Sequence, residues 1–403
     1  MAKAPRANAV VGQSGGPTGV INESLVGVIK QARKHDEIEN LYGAIHGVAG
    51  IAGGDFIDLY GLSENRLKEV AKSPSAALGS SRDKPDERYC ERILDVLRKR
   101  NIRYFFYIGG NDSANTANIV NLMAAKAGYE LRAFHIPKTV DNDLLVTDHC
   151  PGYGTAARFV ACALMGDDLD NRALPGIKID VIMGRHAGFL AAAAVLARQR
   201  EDDGPHLVYL PERAISLERL LGDIEAVYRK LGRCVIAVSE GICDADQKAW
   251  AQKLSVVQEI DSHGNIQLSG TAALADFLAA SVKSKLGVKR VRADTFGYLQ
   301  RSFAPVRSKV DVHEAAGCGA EAVRQAMSKG GGSIAIRRVA NKPKYVSEFF
   351  LTELAAVAAG SKTMPDEFIN AAGNGVTDAF MEYARPLVGK LPKTVYLGNG
   401  RRV

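Results

Sequence analysis

The sequence predicts an α/β fold of two domains, each with a mainly parallel sheet flanked by helices. Short runs of β-branched and aromatic residues alternate with longer helical patterns along the 403-residue chain. Such alternation is typical of βαβ units, whose crossover helices cover both faces of a parallel sheet. The number of these units is larger than one sheet usually holds, and a chain of this length commonly has two or three domains.

The strands are predicted where β-branched and aromatic residues form short continuous runs. These runs span residues 9–12, 41–45, 103–108, 131–136, 177–183, 206–210, 234–238 and 333–336. The helical patterns between them span residues 22–33, 85–99, 114–126, 155–170, 187–200, 217–231 and 271–286. A polar stretch from Thr147 places one domain boundary near residue 152, and a second lies around Ser302. We therefore expect one domain of residues 1–152 plus about 302–360, and another of residues 153–301 plus about 361–403.

Composition excludes several classes of protein. Apolar residues make up 46% and charged residues 24% of the chain, which argues against disorder. The longest apolar run, residues 189–197, is far too short to span a membrane. The net charge is 52 − 45 = +7, a weak bias that favours anionic small molecules and does not indicate nucleic acid. The 6 cysteines show no CxxC spacing, so we expect buried reduced thiols in a cytoplasmic protein rather than zinc ligands.

The first candidate site is the glycine-rich turn at residues 13–19, which contains Gly15 and Gly16. It follows the first strand and precedes a helix, where backbone N–H groups can close on a phosphate. No Gly-Lys-Ser/Thr follows, so this is not a Walker loop. A tight turn without a ligand is an equally good interpretation of this segment alone.

A second glycine turn, residues 108–113, also joins a strand to a helix. It contains Gly110, Asn111, Asp112 and Ser113. The last three side chains can cap the following helix, and Gly-Gly followed by an acid also suits a phosphate with its metal ion. Arg82 is a further candidate phosphate ligand, although alone it is an ordinary surface arginine.

The sharpest segment is residues 137–143, directly after a strand. Lys138 stands beside two carboxylates, Asp141 and Asp143. One carboxylate can accept a proton from a hydroxyl while another holds hydrated Mg²⁺, and the lysine can neutralise a transferring phosphoryl group. As an isolated string, Asp-Asn-Asp is most often a solvated turn. The spacing of an EF-hand calcium loop is absent.

Three later segments at strand ends offer candidate anion and hydroxyl ligands. Arg185 follows a strand and opens a helix, where a cation opposes the helix dipole and so favours a nearby anion. Each segment alone is weak, because surface arginines are common. The candidate residues are Met183, Gly184, Arg185, Glu240, Arg292, Tyr298 and Arg301.

In this order, the segments from residue 12 to 301 resemble the phosphofructokinase family. The shared motifs are Ser-Gly-Gly, Gly-Gly-x-x-Ser, Pro-x-Thr-x-Asp-Asn-Asp, Met-Gly-Arg and Tyr-x-x-Arg. The resemblance implies Mg²⁺-dependent phosphoryl transfer to the 1-hydroxyl of fructose 6-phosphate, giving fructose 1,6-bisphosphate, a step of glycolysis. It also implies two α/β domains with the active site in the cleft between them. The protein is then expected to be a cytoplasmic homodimer or homotetramer without nucleic-acid or membrane partners.

The resemblance also assigns roles to individual residues. It makes Asp141 the general base and Asp143 the second carboxylate, beside the metal ion. Residues 1–152 with 302–360 become the donor-binding domain, and the remainder binds the sugar phosphate. The implied sugar-phosphate ligands are Thr139, Asp143, Met183, Gly184, Arg185, Glu240, Tyr298 and Arg301, with Arg292 supplied by a neighbouring subunit. The implied donor ligands are Gly15, Gly16, Arg82, Gly110 and Ser113.

Two positions bear on the phosphoryl donor. Relatives that use ATP usually carry glycine where this chain has Asp112 and Lys138, and the acid–lysine pair marks the pyrophosphate-dependent branch. A carboxylate at residue 112 would repel the α-phosphate of a nucleotide, whereas Lys138 adds charge for a small anionic donor. Most relatives also have Asp at position 111, so Asn111 leaves Asp112 or Asp143 as the alternative metal ligand. An ATP-dependent enzyme, or a silent regulator that binds sugar phosphate, remains the alternative.

Overall fold

The computed structural model describes residues 4–254 and 272–397, which form two compact units. Unit 1 comprises the described parts of residues 1–156 and 301–362, and unit 2 those of 157–300 and 363–403. The chain therefore changes unit after residues 156, 300 and 362. The sequence predicts these changes near residues 152, 302 and 360.

The two kinds of element follow one another along the chain in the alternation expected of βαβ units. The strands are β1 Ala7–Gln13, β2 Ile38–Ala44, β3 Phe56–Asp58, β4 Ile102–Gly109, β5 Arg132–Pro137, β6 Ile177–Ile182, β7 Leu207–Tyr209, β8 Cys234–Ser239, β9 Val291–Thr295, β10 Gly331–Ala340 and β11 Val346–Thr352. The helices are α1 Ile21–Ala32, α2 Val48–Gly53, α3 Glu64–Lys72, α4 Glu87–Lys99, α5 Asn111–Lys126, α6 Tyr153–Ala173, α7 Phe189–Ala192, α8 Leu217–Leu231, α9 Trp250–Leu254, α10 Ala273–Leu286, α11 Leu299–Ser302, α12 Lys309–Ala326, α13 Leu354–Ala358 and α14 Asp378–Val388.

Among the described residues, unit 1 has a seven-stranded sheet in the order β11-β10-β5-β4-β1-β2-β3. All neighbours are parallel except β10 with β11 and β2 with β3. The chain builds outward from β1 in both directions, so the strand order reverses between β1 and β4. In open parallel sheets, ligands bind beyond the carboxyl ends of the strands at such a reversal. The register aligns these ends, because Gln13 pairs with Ile108 and Gly109 pairs with Pro137.

Both faces of this sheet are buried, which explains the continuous apolar runs in its strands. Ala9 and Val11 of β1 pack on one face with α1 and α12. Val10, between them, packs on the opposite face among residues of α2, α4 and α5. Side chains of a strand alternate between faces, so the successive residues 9–11 of β1 are all apolar.

Unit 2 has a smaller sheet, which in the described residues holds four parallel strands in the order β7-β8-β6-β9. Its apolar core includes Ile179, Ile236 and Leu278. The carboxyl ends of neighbouring strands are again level, because Ile182 pairs with Ser239 and Val181 with Thr295.

The predicted α/β class with mainly parallel sheets is confirmed, and each predicted strand is present. One predicted helix is shorter than expected: residues 187–200 form α7 and then a 3₁₀ turn, Ala193–Ala197, which ends where Arg198 becomes extended. The predicted start of α10, residue 271, lies outside the described residues. All six cysteines are free thiols, and of the helices described none is long and apolar enough to cross a membrane.

Candidate functional site

The glycine turns after β1 and β4 lie side by side in unit 1. The Ser14 N–H donates to the carbonyl of Ile108 at 2.9 Å. The Ser113 hydroxyl, in the first turn of α5, donates to the Ser14 hydroxyl at 2.9 Å. Both contacts are buried and join two loops that are far apart in sequence. The turn after β5 is attached to the same group, because the Lys138 N–H donates to the Gly109 carbonyl at 3.0 Å.

A buried histidine holds this group of loops from beneath. His135 of β5 lies 2.8 Å from the Gly109 carbonyl through Nε2 and 2.8 Å from the Ser333 hydroxyl through Nδ1. Because a carbonyl only accepts, Nε2 carries the proton of the neutral ring. Burial lowers the pKa of His135 to about 4, which keeps the ring neutral near pH 7.

The segment that contains Arg82 is bound to the first glycine turn. The Gly15 N–H donates to the Ser81 carbonyl at 2.8 Å, and the Ser80 hydroxyl donates to the Gly15 carbonyl at 2.6 Å. Gly15 has a φ of +73°, a left-handed conformation that favours glycine. The contacts of Ser80 and Ser81, the two residues before Arg82, therefore bring Arg82 to the turn after β1.

The ammonium group of Lys138 fills the space over this turn. Its Nζ donates to the Gly16 carbonyl at 2.8 Å and lies 3.0 Å from the point where a Cβ on Gly15 would stand. The Arg301 guanidinium is 3.1 Å from the corresponding point on Gly16. Glycine at both positions therefore leaves room for two cationic side chains, whose charges suit an anion.

The protein groups around Lys138 stabilise the charge of its ammonium group poorly. The side chain is buried, and burial lowers the pKa of Lys138 to about 7. Arg301 and Arg82 act in the same direction, and the Asp141 carboxylate opposes them. A buried cation among other cations is the arrangement that a strongly charged anion would relieve.

The carboxylates of Asp141 and Asp143 flank a residue that is turned inward. Asn142 between them is buried with a φ of +61°, and its Oδ1 accepts the Cys150 N–H at 2.9 Å. The Asp141 N–H donates to the Thr139 hydroxyl at 3.1 Å. The strand end, the turn and the returning chain thus determine where the two carboxylates stand.

Asp143 occupies a more enclosed position. Burial raises the pKa of Asp143, while hydrogen bonds from Thr139 and Ser361 and the charge of Lys362 partly oppose the effect of burial. The Lys362 N–H also donates to the Asp143 carbonyl at 2.8 Å. Asp143 is therefore held by both its backbone and its side chain.

The residues at the start of α5 fit a hydrated Mg²⁺ ion that binds together with phosphates. The Asp112 side chain is half-exposed, and its Oδ2 lies 3.3 Å from Lys84 Nζ. The Asn111 Oδ1 accepts the Asp112 N–H at 2.8 Å, so this amide is already used within the turn. Mg²⁺ keeps several waters and commonly takes one or two carboxylates plus substrate phosphates, which suits the accessible oxygens of Asp112 better than Asn111.

In unit 2, the turns after β6 and β8 form a second group. The Ser239 hydroxyl donates to the Gly184 carbonyl at 2.6 Å, and the Glu240 N–H donates to the Ile182 carbonyl at 2.8 Å. The Met183 N–H donates to Gln300 Oε1 at 3.2 Å, which attaches the segment that follows β9. Met183, Gly184, Arg185 and Glu240 are thus brought together.

Arg292 and Tyr298 are exposed at the edge of the same sheet. Arg292 pairs in register with Lys178, and both point to the sheet face that also carries Asp180 and Asp294. The Lys178 ammonium contacts both carboxylates, with 3.4 Å to Asp180. The charges on this face are therefore already partly paired within the unit.

The structure thus divides the predicted site residues into two groups. Unit 1 holds Gly15, Gly16, Arg82, Gly110, Asn111, Asp112, Ser113, Lys138, Thr139, Asp141, Asp143 and Arg301. Unit 2 holds Met183, Gly184, Arg185, Glu240, Arg292 and Tyr298. The sequence pairs Arg301 with Tyr298, whereas the structure places the Arg301 guanidinium against the Gly16 turn.

Several contributing residues carry no recognisable signal in the sequence. Ser361 and Lys362 reach the Asp143 loop from more than two hundred residues away. Lys84 pairs with Asp112 from an unremarkable charged stretch. Ser14, in contrast, can be identified from the sequence, because it belongs to the Ser-Gly-Gly motif.

Comparisons with known proteins agree with these motifs. The profile of the family described as "Phosphofructokinase" matches residues 8–326. The chain is 52% identical over 394 residues to a protein of Rhodospirillum rubrum named pyrophosphate–fructose 6-phosphate 1-phosphotransferase, covering 97% of both chains. It is 38% identical to a protein of the same name from Halomonas elongata, covering 94% of this chain and 91% of that one. A crystal structure of pyrophosphate-dependent phosphofructokinase from Nitrosospira multiformis superposes with a TM-score of 0.84 at 33% identity, covering 98% of this chain and 95% of that one.

Proposed function

The chain belongs to the phosphofructokinase family, and we propose that it transfers a phosphoryl group from pyrophosphate to the 1-hydroxyl of fructose 6-phosphate. The products are fructose 1,6-bisphosphate and phosphate. The observation that carries the choice of donor is the buried Lys138 ammonium over the Gly15–Gly16 turn. The names of the relatives described above support the same donor.

The residues of unit 1 supply the chemistry of the transfer. The Asp141 carboxylate accepts the proton of the sugar 1-hydroxyl while the oxygen of that hydroxyl bonds to phosphorus. The bond from that phosphorus to the bridging oxygen breaks, and phosphate leaves. Lys138 and Arg82 stabilise the negative charge on the transferring and leaving groups. Asp112 would hold Mg²⁺, which would neutralise part of the same charge when bound.

The residues of unit 2 are proposed to hold the acceptor. Arg185 suits a phosphate because its guanidinium offers paired donors, and Glu240 suits a sugar hydroxyl. We carry over Tyr298 and Arg301 as ligands of the 6-phosphate, and Arg292 as an arginine that serves the site of a neighbouring subunit.

The donor is tested by measuring kcat/KM for pyrophosphate and for ATP. We expect the wild type to prefer pyrophosphate. Asp112→Gly should raise kcat/KM for ATP, because the variant removes a carboxylate that repels the nucleotide α-phosphate. Lys138→Gly should reduce use of pyrophosphate, because a positioned charge is worth a few kcal/mol in the transition state. The double variant should depart from additivity, because both residues face one ligand.

The matched control is Lys84→Met, which removes the ion-pair partner of Asp112 but keeps the carboxylate. This control should bring no gain with ATP. A wild type that prefers ATP would refute the proposed donor, and one that uses neither donor would point to the silent regulator. An Asp112→Gly variant without a gain would refute only the role given to Asp112.

A further inference from the structure

A histidine outside the described site is held between two carboxylates in unit 1. His149 is buried, and its Nδ1 lies 2.7 Å from Asp148 Oδ1. Its Nε2 lies 2.7 Å from Glu314 Oε2 of α12. A neutral imidazole has one N–H, whereas an imidazolium has two. Two short contacts to carboxyl groups, both with pKa values lowered by the histidine, therefore favour the doubly protonated ring.

Each carboxylate has further donors that hold it in place. Glu314 Oε1 accepts the Tyr345 hydroxyl at 2.6 Å and the Ser347 hydroxyl at 2.7 Å. Asp148 Oδ1 accepts Arg338 Nη2 at 3.0 Å. Two anions, Asp148 and Glu314, are thus balanced by two cations, His149 and Arg338. A buried cluster with equal charges and satisfied hydrogen bonds specifies one geometry.

Other titratable groups pack around this cluster. Asp311 of α12 is a buried acid whose pKa is raised by burial. Lys362 donates to the carbonyls of Thr147 and Asp148, at 2.8 and 2.7 Å. Burial alone would lower the pKa of His149, but the Glu314 charge and hydrogen bonds with both carboxylates outweigh it and raise that pKa.

The cluster is connected directly to the two carboxylates of the candidate site. His149 is followed by Cys150, whose N–H donates to Asn142 Oδ1 at 2.9 Å. Asn142 stands between Asp141 and Asp143. The carbonyl of His149 itself accepts the Thr147 hydroxyl at 2.8 Å. His149 is therefore linked to the Asp-Asn-Asp turn through the backbone N–H of the next residue, Cys150, which binds the Asn142 side chain.

We propose that His149 is a positioning residue whose imidazolium, held by Asp148 and Glu314, keeps Asp141 and Asp143 in their reactive geometry. The reaction that these carboxylates serve is the one given under Proposed function, on which the inference rests. No direct contact with substrate is part of the proposal. The effect of His149 reaches the reaction through Cys150 and Asn142.

The inference has a defined dependence on pH. Below the pKa of His149, both N–H groups hold the loop. Above it, the ring loses one N–H, a buried carboxylate loses a donor, and the loop loses its fixed geometry. We therefore expect kcat to fall on the alkaline side with a midpoint at the pKa of His149. The KM for fructose 6-phosphate should change much less, because the proposed sugar ligands Arg185, Glu240 and Tyr298 lie in unit 2, outside this turn.

Two variants move this midpoint in opposite directions. Glu314→Gln removes one anion, so the pKa of His149 and the alkaline midpoint of kcat should both fall by roughly 1–3 units. Tyr345→Phe removes a donor that shares the Glu314 carboxylate, so both should rise by a smaller amount. The pKa is measured by NMR titration of histidine-labelled unliganded protein, and kcat at saturating pyrophosphate and fructose 6-phosphate. His149→Gln identifies the resonance and should abolish the alkaline step.

The outcomes separate the inference from the proposed function. A parallel shift of the NMR pKa and the kcat midpoint in each variant would support positioning by His149. A shift in the NMR pKa without a shift in kcat would overturn it, as would an NMR pKa that does not move. Should His149→Gln fail to fold, the opposite shifts of the other two variants still decide the question. A wild type without phosphoryl transfer would refute the proposed function. An NMR pKa of His149 that does not move in the variants would refute the inference, whether or not the protein is active.

Discussion

Lys138 shows how one side chain can be costly in the free protein and useful in the complex. Its ammonium is buried beside Arg301 and Arg82, so the charged form is disfavoured and the pKa lies at about 7. A bound polyanion would favour the charged form again. Binding of the donor and protonation of Lys138 should therefore be coupled.

This coupling predicts that pyrophosphate binding takes up protons. At pH 8 the free Lys138 is largely neutral, so binding should take up about one more proton than at pH 6, where the group is already charged. Isothermal titration calorimetry in buffers of different ionisation enthalpy measures the uptake. Lys138→Arg, which is charged at both pH values, should take up about one proton fewer than the wild type at pH 8. Equal uptake by wild type and variant would mean that the pKa of Lys138 does not change on binding.

Asp141 carries the other prediction at this scale. Asp141→Ser should reduce kcat by roughly 10²–10⁴-fold, because a positioned base contributes that much to proton transfer. KM values should change little, since the role belongs to the transition state. Steady-state kinetics with both substrates measures the effect. A kcat close to that of the wild type would show that another group accepts the proton.

The residues that sequence analysis could identify are those inside short motifs. Lys138, Asp141 and Asp112 lie within a few positions of glycines and strand ends, where local pattern and resemblance both apply. Ser361 and Lys362 contact the same loop only because the chain returns to unit 1 after residue 300. No local pattern encodes such a return, so these partners require the tertiary structure.

Among the elements, α12 is the informative omission. It is eighteen residues long and packs along α1, yet the sequence does not predict it. Gly317 and Gly319 lie within it, and glycine is a poor helix former. The structure gives the reason for Gly319, because a Cβ there would overlap the Ser24 carbonyl of α1. Gly319 therefore weakens the helical pattern of α12 in the sequence, and the same residue allows α1 and α12 to pack closely.

Gly319→Ala is therefore expected to destabilise the protein despite its better helix propensity. The added methyl group forces α1 and α12 apart, at a cost of roughly 1–3 kcal/mol for overpacking. Gly222→Ala in α8 is the matched control, because a Cβ there meets nothing within 4 Å. The control should be neutral or stabilising by about 0.5–1 kcal/mol. Thermal unfolding compares the variants, and a stabilised Gly319→Ala would contradict the close approach of α1 and α12.

The sequence analysis also did not predict the edge strands β9 and β11, for a different reason. β9 has the sequence VRADT, in which charged residues alternate with small ones, and β11 pairs only at the sheet edge. Both strands bury one face at most, so they lack the continuous apolar run that identifies β1 or β4. Sequence analysis therefore missed these two edge strands, whereas it predicted β7, an edge strand whose residues are all buried.

For the whole molecule, the proposed role of Arg292 gives a test of assembly. Arg292 is exposed on the edge strand β9, and the family resemblance assigns it to the site of a neighbouring subunit. If so, a mixture of the inactive variants Asp141→Ser and Arg292→Ala should regain part of the activity through hybrid oligomers. Each variant alone, treated identically, is the control. A fully active monomer in analytical ultracentrifugation would exclude this arrangement.

The division of the chain between the units also sets an order for synthesis on the ribosome. β5 has no partner on its outer side until β10 emerges, and the part of α1 that packs on α12 stays uncovered until α12 emerges. The intervening residues 157–300 take between about 7 and 30 seconds to translate at 5–20 residues per second. Unit 2 is completed later still, because Val208 of β7 donates to the carbonyl of Asn374. The nascent chain therefore carries unfinished apolar surfaces over most of its translation, and both units become complete only near its end.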